Sequence, residues 1–217
     1  MLLVMGFLRV RNADISRLRA PIERQVRAVR EFHGCESYGI GIDLLEPDLL
    51  RVAERWRTRA AQSAHLIGDH MVEFNIGMRA GNVVATAIDS YEAGVVRRLL
   101  QIPAVSFRPE REDREMAVVL GSARFATGEI DRLMSIFETE LAATRAEEGC
   151  DLYAFSRDVL DLEVLHIAGR WRTGAALVAH LNMPSVAAFN AQLDAANIET
   201  MSVSAYYADG ERPLYER

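Results

Sequence analysis

The sequence predicts an α+β protein built from two tandem β-α-β-β-α-β units. Two observations carry this. A shift of 115 residues lays "RWRTRAAQSAHL" (55–66) over "RWRTGAALVAHL" (170–181), and the match extends without a gap to 32 identities between residues 1–93 and 116–208. Agreement at about a third of the positions marks an internal duplication. Within each copy, the apolar residues also switch between strand and helix periods in one shared order. Residues 1–93 and 116–208 are therefore read as two units. Residues 94–115, with Pro and alternating charges, are read as a linker, and 209–217 as a C-terminal tail.

The elements follow in order. Residues 2–10 form an apolar strand. Residues 14–32 open with Asp14 as a cap and place Ile15, Leu18, Ile22, Val26 and Val29 at helical spacing, with Pro21 weakening or kinking the helix. The second copy repeats the stripe with Ile130, Leu133, Ile136 or Phe137, and Leu141. A Gly-Cys pair opens a strand over 35–42, "EPD" makes a turn, and a third strand runs over 49–57. Thr58 caps a helix whose apolar face carries Ala61, Ala64 and Leu66. A break near Gly68–Asp69 starts another helical piece, to about Arg79, and residues 82–91 close the unit as a strand. This is the ferredoxin-like split order. Helices cover one face of such a sheet, and the second copy supplies a partner for the other face.

The net charge is −6, all 25 basic residues are Arg, and no basic stripe appears, which argues against a nucleic-acid partner. No apolar run approaches the roughly 20 residues of a membrane helix. The apolar start has its twin at 116–125, in mid-chain, so it reads as a strand and not as a signal peptide. With two cysteines and no disulfide framework, the reading is cytoplasmic. Cys35 and Cys150 read as small buried hydrophobes. No nucleotide loop, nucleophile elbow or CxxC motif is present.

Strand alternation puts Leu50, Val52, Glu54 and Trp56 on one face, with twins Leu165, Ile167, Gly169 and Trp171. His65 and His180 follow on the next helix. The tryptophans read either as core or as pocket walls, and the histidines either as satisfied half-buried groups or as site residues. His70, replaced by Ser185 in the second copy, lies about 140° from His65 on an ideal helix. With no third ligand in view, no metal site is expected. Asn75 and Asn190 read as helix caps or ligand contacts.

"EEGC" with Tyr three residues on, "RW", "AHL" and an aromatic-Asn pair together resemble the antibiotic biosynthesis monooxygenase domain family. "ERWRTRAAQSAHLIGDHMVEF" is similar to its quinol-monooxygenase branch. The resemblance covers nearly the whole chain. It implies an intramolecular dimeric α+β barrel with a pocket between sheet and helices in each unit. It also implies cofactor-independent oxidation of a small aromatic or quinol-like molecule by O2. The sequence departs from the polyketide-tailoring branch, where an Asn stands at the place of Val52 and Ile167 and a Tyr at the place of Gln62 and Leu177. It departs from the haem-degrading branch at His65/His180 and Asn75/Asn190, which disfavours haem.

The expected catalytic set is therefore His65 as general base, Trp56 as the apolar stacking wall and His70 as a second proton holder, with no metal and no cofactor. Glu54 is expected to raise the pKa of His65. Substrate contacts are expected from Tyr38, Glu54 and Asn75, and in the second copy from Tyr153, Trp171, His180 and Asn190. The first pocket is expected to be the active one. A non-catalytic ligand-binding or stress-response module, or a small-molecule isomerase, are the alternatives on the same fold. The chain is expected to form a pseudo-dimer by itself, with a further homodimer left open.

Overall fold

The computed structural model describes residues 1–11, 15–98 and 116–216. Asp14 and residues 99–115 of the expected linker lie outside them. The chain forms two compact units, one of Met1–Ala93 with Ser156–Leu162 and Gly210–Arg217, the other of Gly94–Phe155 with Glu163–Asp209.

In the first unit the elements are β1 (Leu2–Val10), α1 (Arg19–Arg30), β2 (Cys35–Asp43), β3 (Leu49–Trp56), α2 (Arg59–Leu66), α3 (Asp69–Ala80) and β4 (Val83–Arg98). The sheet order is β4-β1-β3-β2, with β1 antiparallel to both β3 and β4. This is the expected ferredoxin-like arrangement. Leu2, Val4, Leu8 and Val10 alternate along β1 and join Ile22, Val26 and Val29 of α1, Leu50 and Val52 of β3, and Met71, Phe74 and Met78 of α3 in one core. Leu3 and Met5, on the opposite face, are buried as well.

The helix α1 is shorter than its apolar stripe suggests. It starts at Arg19, after a turn in which Leu18 N–H donates to Ile15 O. Pro21 therefore sits in the first turn, where its missing N–H costs nothing, and it does not kink the helix. A Cβ on Gly77 of α3 would lie 2.6 Å from Pro21 Cβ, so glycine there lets the two helices approach closely. Arg30 at the end of α1 donates to Tyr38 O (3.0 Å) and to buried Asp158 (2.8 Å), pinning β2 to the helix.

The second unit uses β5 (Met116–Phe125), α4 (Glu129–Arg132), α5 (Met134–Arg145), β6 (Cys150–Asp158), β7 (Val164–Trp171), α6 (Gly174–Leu181), α7 (Pro184–Asp194) and β8 (Ile198–Glu216). The order β8-β5-β7-β6 repeats that of the first unit, although Ser156–Asp158 at the end of β6 pair with Gly41–Asp43 and belong to the first unit. Ile130, Leu133, Phe137 and Leu141 form the buried stripe, and Arg145 donates to Tyr153 O as Arg30 does to Tyr38 O. The last strand of each unit outruns its expectation. In particular, β8 continues to Glu216 through the segment read as a tail. Among the described residues, no helix is long and apolar enough to cross a membrane.

Candidate active site

Thr58 and Thr173 cap α2 and α6 as expected, each accepting from the N–H three residues on (3.1 Å). Ala61 and Leu66 of the expected face of α2 pack against the core, but the most buried side chains of the helix are others. Gln62 and His65 point inward at 2 % and 1 % exposure, while Ala64 is exposed. Buried polar groups on an otherwise ordinary helix mark a place where something other than packing decides the residue.

These two side chains line a cavity of about 560 Å³ in the first unit. Tyr38 and Glu54 face it from the sheet, Phe74, Asn75 and Arg79 from α3, and Val4, Val52 and Ile88 supply apolar wall. Tyr38, Glu54, Asn75 and His65 thus meet at one site. Asn75 lies inside α3 and caps nothing.

Trp56 does not line this cavity, which corrects its expected place as a wall, and His70 reaches it only through His65. Trp56 lies behind it, fully buried, donating from Nε1 to Glu54 Oε2 (2.7 Å) and stacked on His65 with ring centroids 4.9 Å apart. It orients two cavity groups and is no stacking wall. His70 borders a small outer groove with Arg24, Gln25 and Glu73. Its Nε2 meets His65 Nδ1 at 2.7 Å. The 140° separation fails because α2 ends at Leu66 and α3 starts at Asp69, so an ideal helix does not connect the two rings. Gly68 permits this arrangement, since a Cβ there would lie 2.5 Å from His70 Cε1.

The electrostatics also differ from expectation. Burial, aided by the neighbouring His70, lowers the His65 pKa to about 4, where an increase had been expected from Glu54. Glu54 instead bonds to Trp56. Burial pushes its own pKa up to about 7, against the smaller opposing effect of the Trp56 hydrogen bond.

The second unit is built differently at the same positions. Its cavity is about 100 Å³ and is lined by Tyr153, Trp171, Leu177, His180 and Asn190. Phe125, Phe137 and Phe155 occupy the places of Val10, Ile22 and Ile40, and Phe155 stacks on Phe189 with centroids 6.0 Å apart. The larger rings account for the lost volume. His180 Nδ1 meets Glu147 at 3.0 Å, Glu147 standing where the first unit has Phe32. At the place of Glu54, a Cβ on Gly169 would lie 2.5 Å from the Trp171 ring, and Trp171 Nε1 has no hydrogen-bond partner among the described residues. Glu140 also lines this cavity, its pKa raised by burial. Glu147 and Glu140 escaped the sequence reading because neither is shared with the first copy.

Cys35 and Cys150 are free and half-buried, with burial pushing both thiols up to about 11, away from reactivity. Among the described residues, no group of three His, Cys, Asp or Glu side chains is placed to hold a metal ion.

The sequence pattern of a family described as "Antibiotic biosynthesis monooxygenase" matches residues 1–75 and 116–192. Among solved structures, an aldoxime dehydratase is 13% identical at a TM-score of 0.61, covering 96% of this chain and 82% of its own. A candidate antibiotic biosynthesis monooxygenase from Deinococcus radiodurans is 26% identical at a TM-score of 0.41, over 43% of this chain and 93% of its own. A candidate monooxygenase from Lactobacillus acidophilus NCFM is 12% identical at a TM-score of 0.43, over 100% of this chain and 97% of its own. A comparison with curated proteins finds no match.

Proposed function

The chain belongs to the antibiotic biosynthesis monooxygenase family, and from that premise we propose that its first unit oxidises a small aromatic or quinol-like molecule with O2. The observation that carries this reading is the 560 Å³ cavity, apolar along its walls, into which Tyr38, Glu54, Gln62 and His65 converge. An apolar pocket with a few convergent polar groups and shifted pKa values is the ordinary form of a small-molecule site.

The substrate itself is the electron source in this reading. A quinol and O2 give a hydroxylated quinone and water: one oxygen atom enters the ring, the other leaves as water, and the quinol loses the two electrons and two protons that balance it. The first step removes a hydroxyl proton, which makes the ring electron-rich enough to reduce O2. Glu54 is the group suited to take that proton, because its pKa near 7 matches the task. His65, with a pKa near 4, stays neutral and serves as a hydrogen-bonding wall held by Trp56 and His70. The second unit, with its cavity of about 100 Å³, is the scaffold partner.

Oxygen uptake by the whole chain with a panel of benzo-, naphtho- and anthraquinols tests this. The wild-type chain is expected to accelerate uptake well above autoxidation. Glu54→Gln is expected to lose about 10²–10⁴-fold, the range of a general base, and His180→Ala little. No acceleration with any member of the panel overturns the reading.

A further inference from the structure

We propose that Arg79, with Asn75 one turn before it on α3 and Thr86 on β4, forms an anion subsite on the open side of the first-unit cavity, so that the molecule taken up is a hydroxylated aromatic carboxylate. This deepens the function proposed above and rests on it. The polar groups that line the cavity fall into two sets. Tyr38, Glu54, Gln62 and His65 are buried. Asn75 and Arg79 are exposed, and Thr86 is half-buried. The remaining wall, including Val4, Val52 and Ile88, is apolar. The cavity therefore has a buried polar end and a polar end that solvent reaches.

Arg79 is permanently charged, and among the described residues it makes no ion pair or hydrogen bond. Its guanidinium offers a planar fork of N–H donors that matches a carboxylate, and the Asn75 amide and Thr86 hydroxyl are neutral donors lining the same cavity. A helix C-terminus also favours a cation, and Arg79 stands in the last turn of α3. That does not account for it, since α7 ends on Asp194 at the twin position. The rim changes sign between the copies. Arg79, Val84 and Thr86 of the first unit stand where the second has Asp194, Glu199 and Met201. The cation goes with the large cavity and the two carboxylates with the small one. The buried set fixes the ligand's direction. A ligand carboxylate placed beside ionised Glu54 would meet like charge where little water screens it. Placed at Arg79, it leaves the hydroxyl end of the ligand to reach Glu54.

The aspartate twin supplies the test. The probes are 2-naphthol and 6-hydroxy-2-naphthoate, both fluorescent, which share the ring and hydroxyl and differ by one carboxylate. Each is titrated at neutral pH against the full chain, Arg79→Gln and Arg79→Asp, the last carrying the charge of the second copy. The wild-type chain is expected to bind the naphthoate about fivefold more tightly than naphthol, the upper end of what a solvent-reached ion pair contributes. Arg79→Gln is expected to lose this preference and Arg79→Asp to reverse it. Naphthol is expected to bind all three alike, which also checks that the variants keep the cavity. The wild-type preference is expected to shrink at high salt, a readout that needs no variant and decides alone if a variant loses naphthol. A preference kept in Arg79→Gln, or unmoved by salt, overturns the assignment to Arg79. Equal affinity of the two probes for the wild-type chain overturns the anion subsite and leaves the proposed function standing. Failure of both probes to bind the wild-type chain overturns the cavity reading and this inference with it.

Discussion

His65 Nδ1 lies 2.7 Å from His70 Nε2 although four residues separate them, because the chain breaks its helix at Ile67–Gly68 and folds the second ring back onto the first. Gly68→Ala would place a methyl 2.5 Å from His70 Cε1, which the ring can escape by rotating outward. The pair is then broken at little cost in stability. His70 contributes to the low pKa of His65, so the substitution raises the His65 titration from about 4 toward the ordinary range. Histidine ring NMR across pH 3–8 checks it, and an unmoved titration contradicts the pairing.

Glu54 and His65 give opposing slopes of stability against pH. The His65 pKa falls on folding from 6.5 to about 4, so the unfolded chain binds more protons in that window and stability is lost as pH falls through it. The Glu54 pKa rises on folding from 4.5 to about 7, so the folded chain binds more protons there and stability is lost as pH rises through it. The two nearly cancel between about pH 4.5 and 6.5. Glu54→Gln removes one slope and leaves midpoints that rise with pH from 4 to 6.5, and above pH 7 the variant is the more stable protein. Urea unfolding at half-unit steps of pH measures both effects.

The two buried tryptophans differ in what they hold. Trp56→Phe deletes the donor to Glu54 Oε2, whereas Trp171→Phe removes an Nε1 that has no partner among the described residues. At pH 8, with Glu54 ionised, Trp56→Phe is expected to cost about 1–3 kcal/mol more than Trp171→Phe. Chemical denaturation of the two single variants makes the comparison. Equal losses refute the difference in bonding.

The phenylalanines that fill the second cavity have aliphatic twins. Phe137→Ile and Phe155→Ile copy Ile22 and Ile40 of the first unit. Each is expected to cost about 1–3 kcal/mol, because the surrounding rings relax only in part around the lost volume. The double variant enlarges the second cavity, and a second binding event for nitrobenzene by calorimetry reports it.

Much of the fold was legible because duplication shows each element twice. β1 and the register that puts Glu54 beside Trp56 on β3 follow from alternation alone. The helix start at Arg19 was not legible, because the stripe from Ile15 continues through a turn that buries the same face. His65 on α2 was legible as a site residue, but Gln62 was not, because apolar patterning passes over a buried amide. The place of Trp56 behind the cavity depends on side-chain packing that no spacing encodes. Compensating pairs were legible in principle: Gly68 with His70 against Met183 with Ser185, and Glu54 against a glycine under Trp171. Reading the copies for coupled differences, and not for identities, would have found them.

The rings of Phe137, Phe155 and Phe189 also limit what the second unit has room to hold. Two identical subunits would present two equivalent sites, and their titration would carry a statistical factor and any coupling between them. Among the described residues, the first unit holds a cavity of about 560 Å³ and the twin place in the second unit one of about 100 Å³. On the proposed function, saturation by a ligand of quinol size is expected to follow a simple hyperbola with an endpoint of one per chain, and a second step in the titration contradicts it.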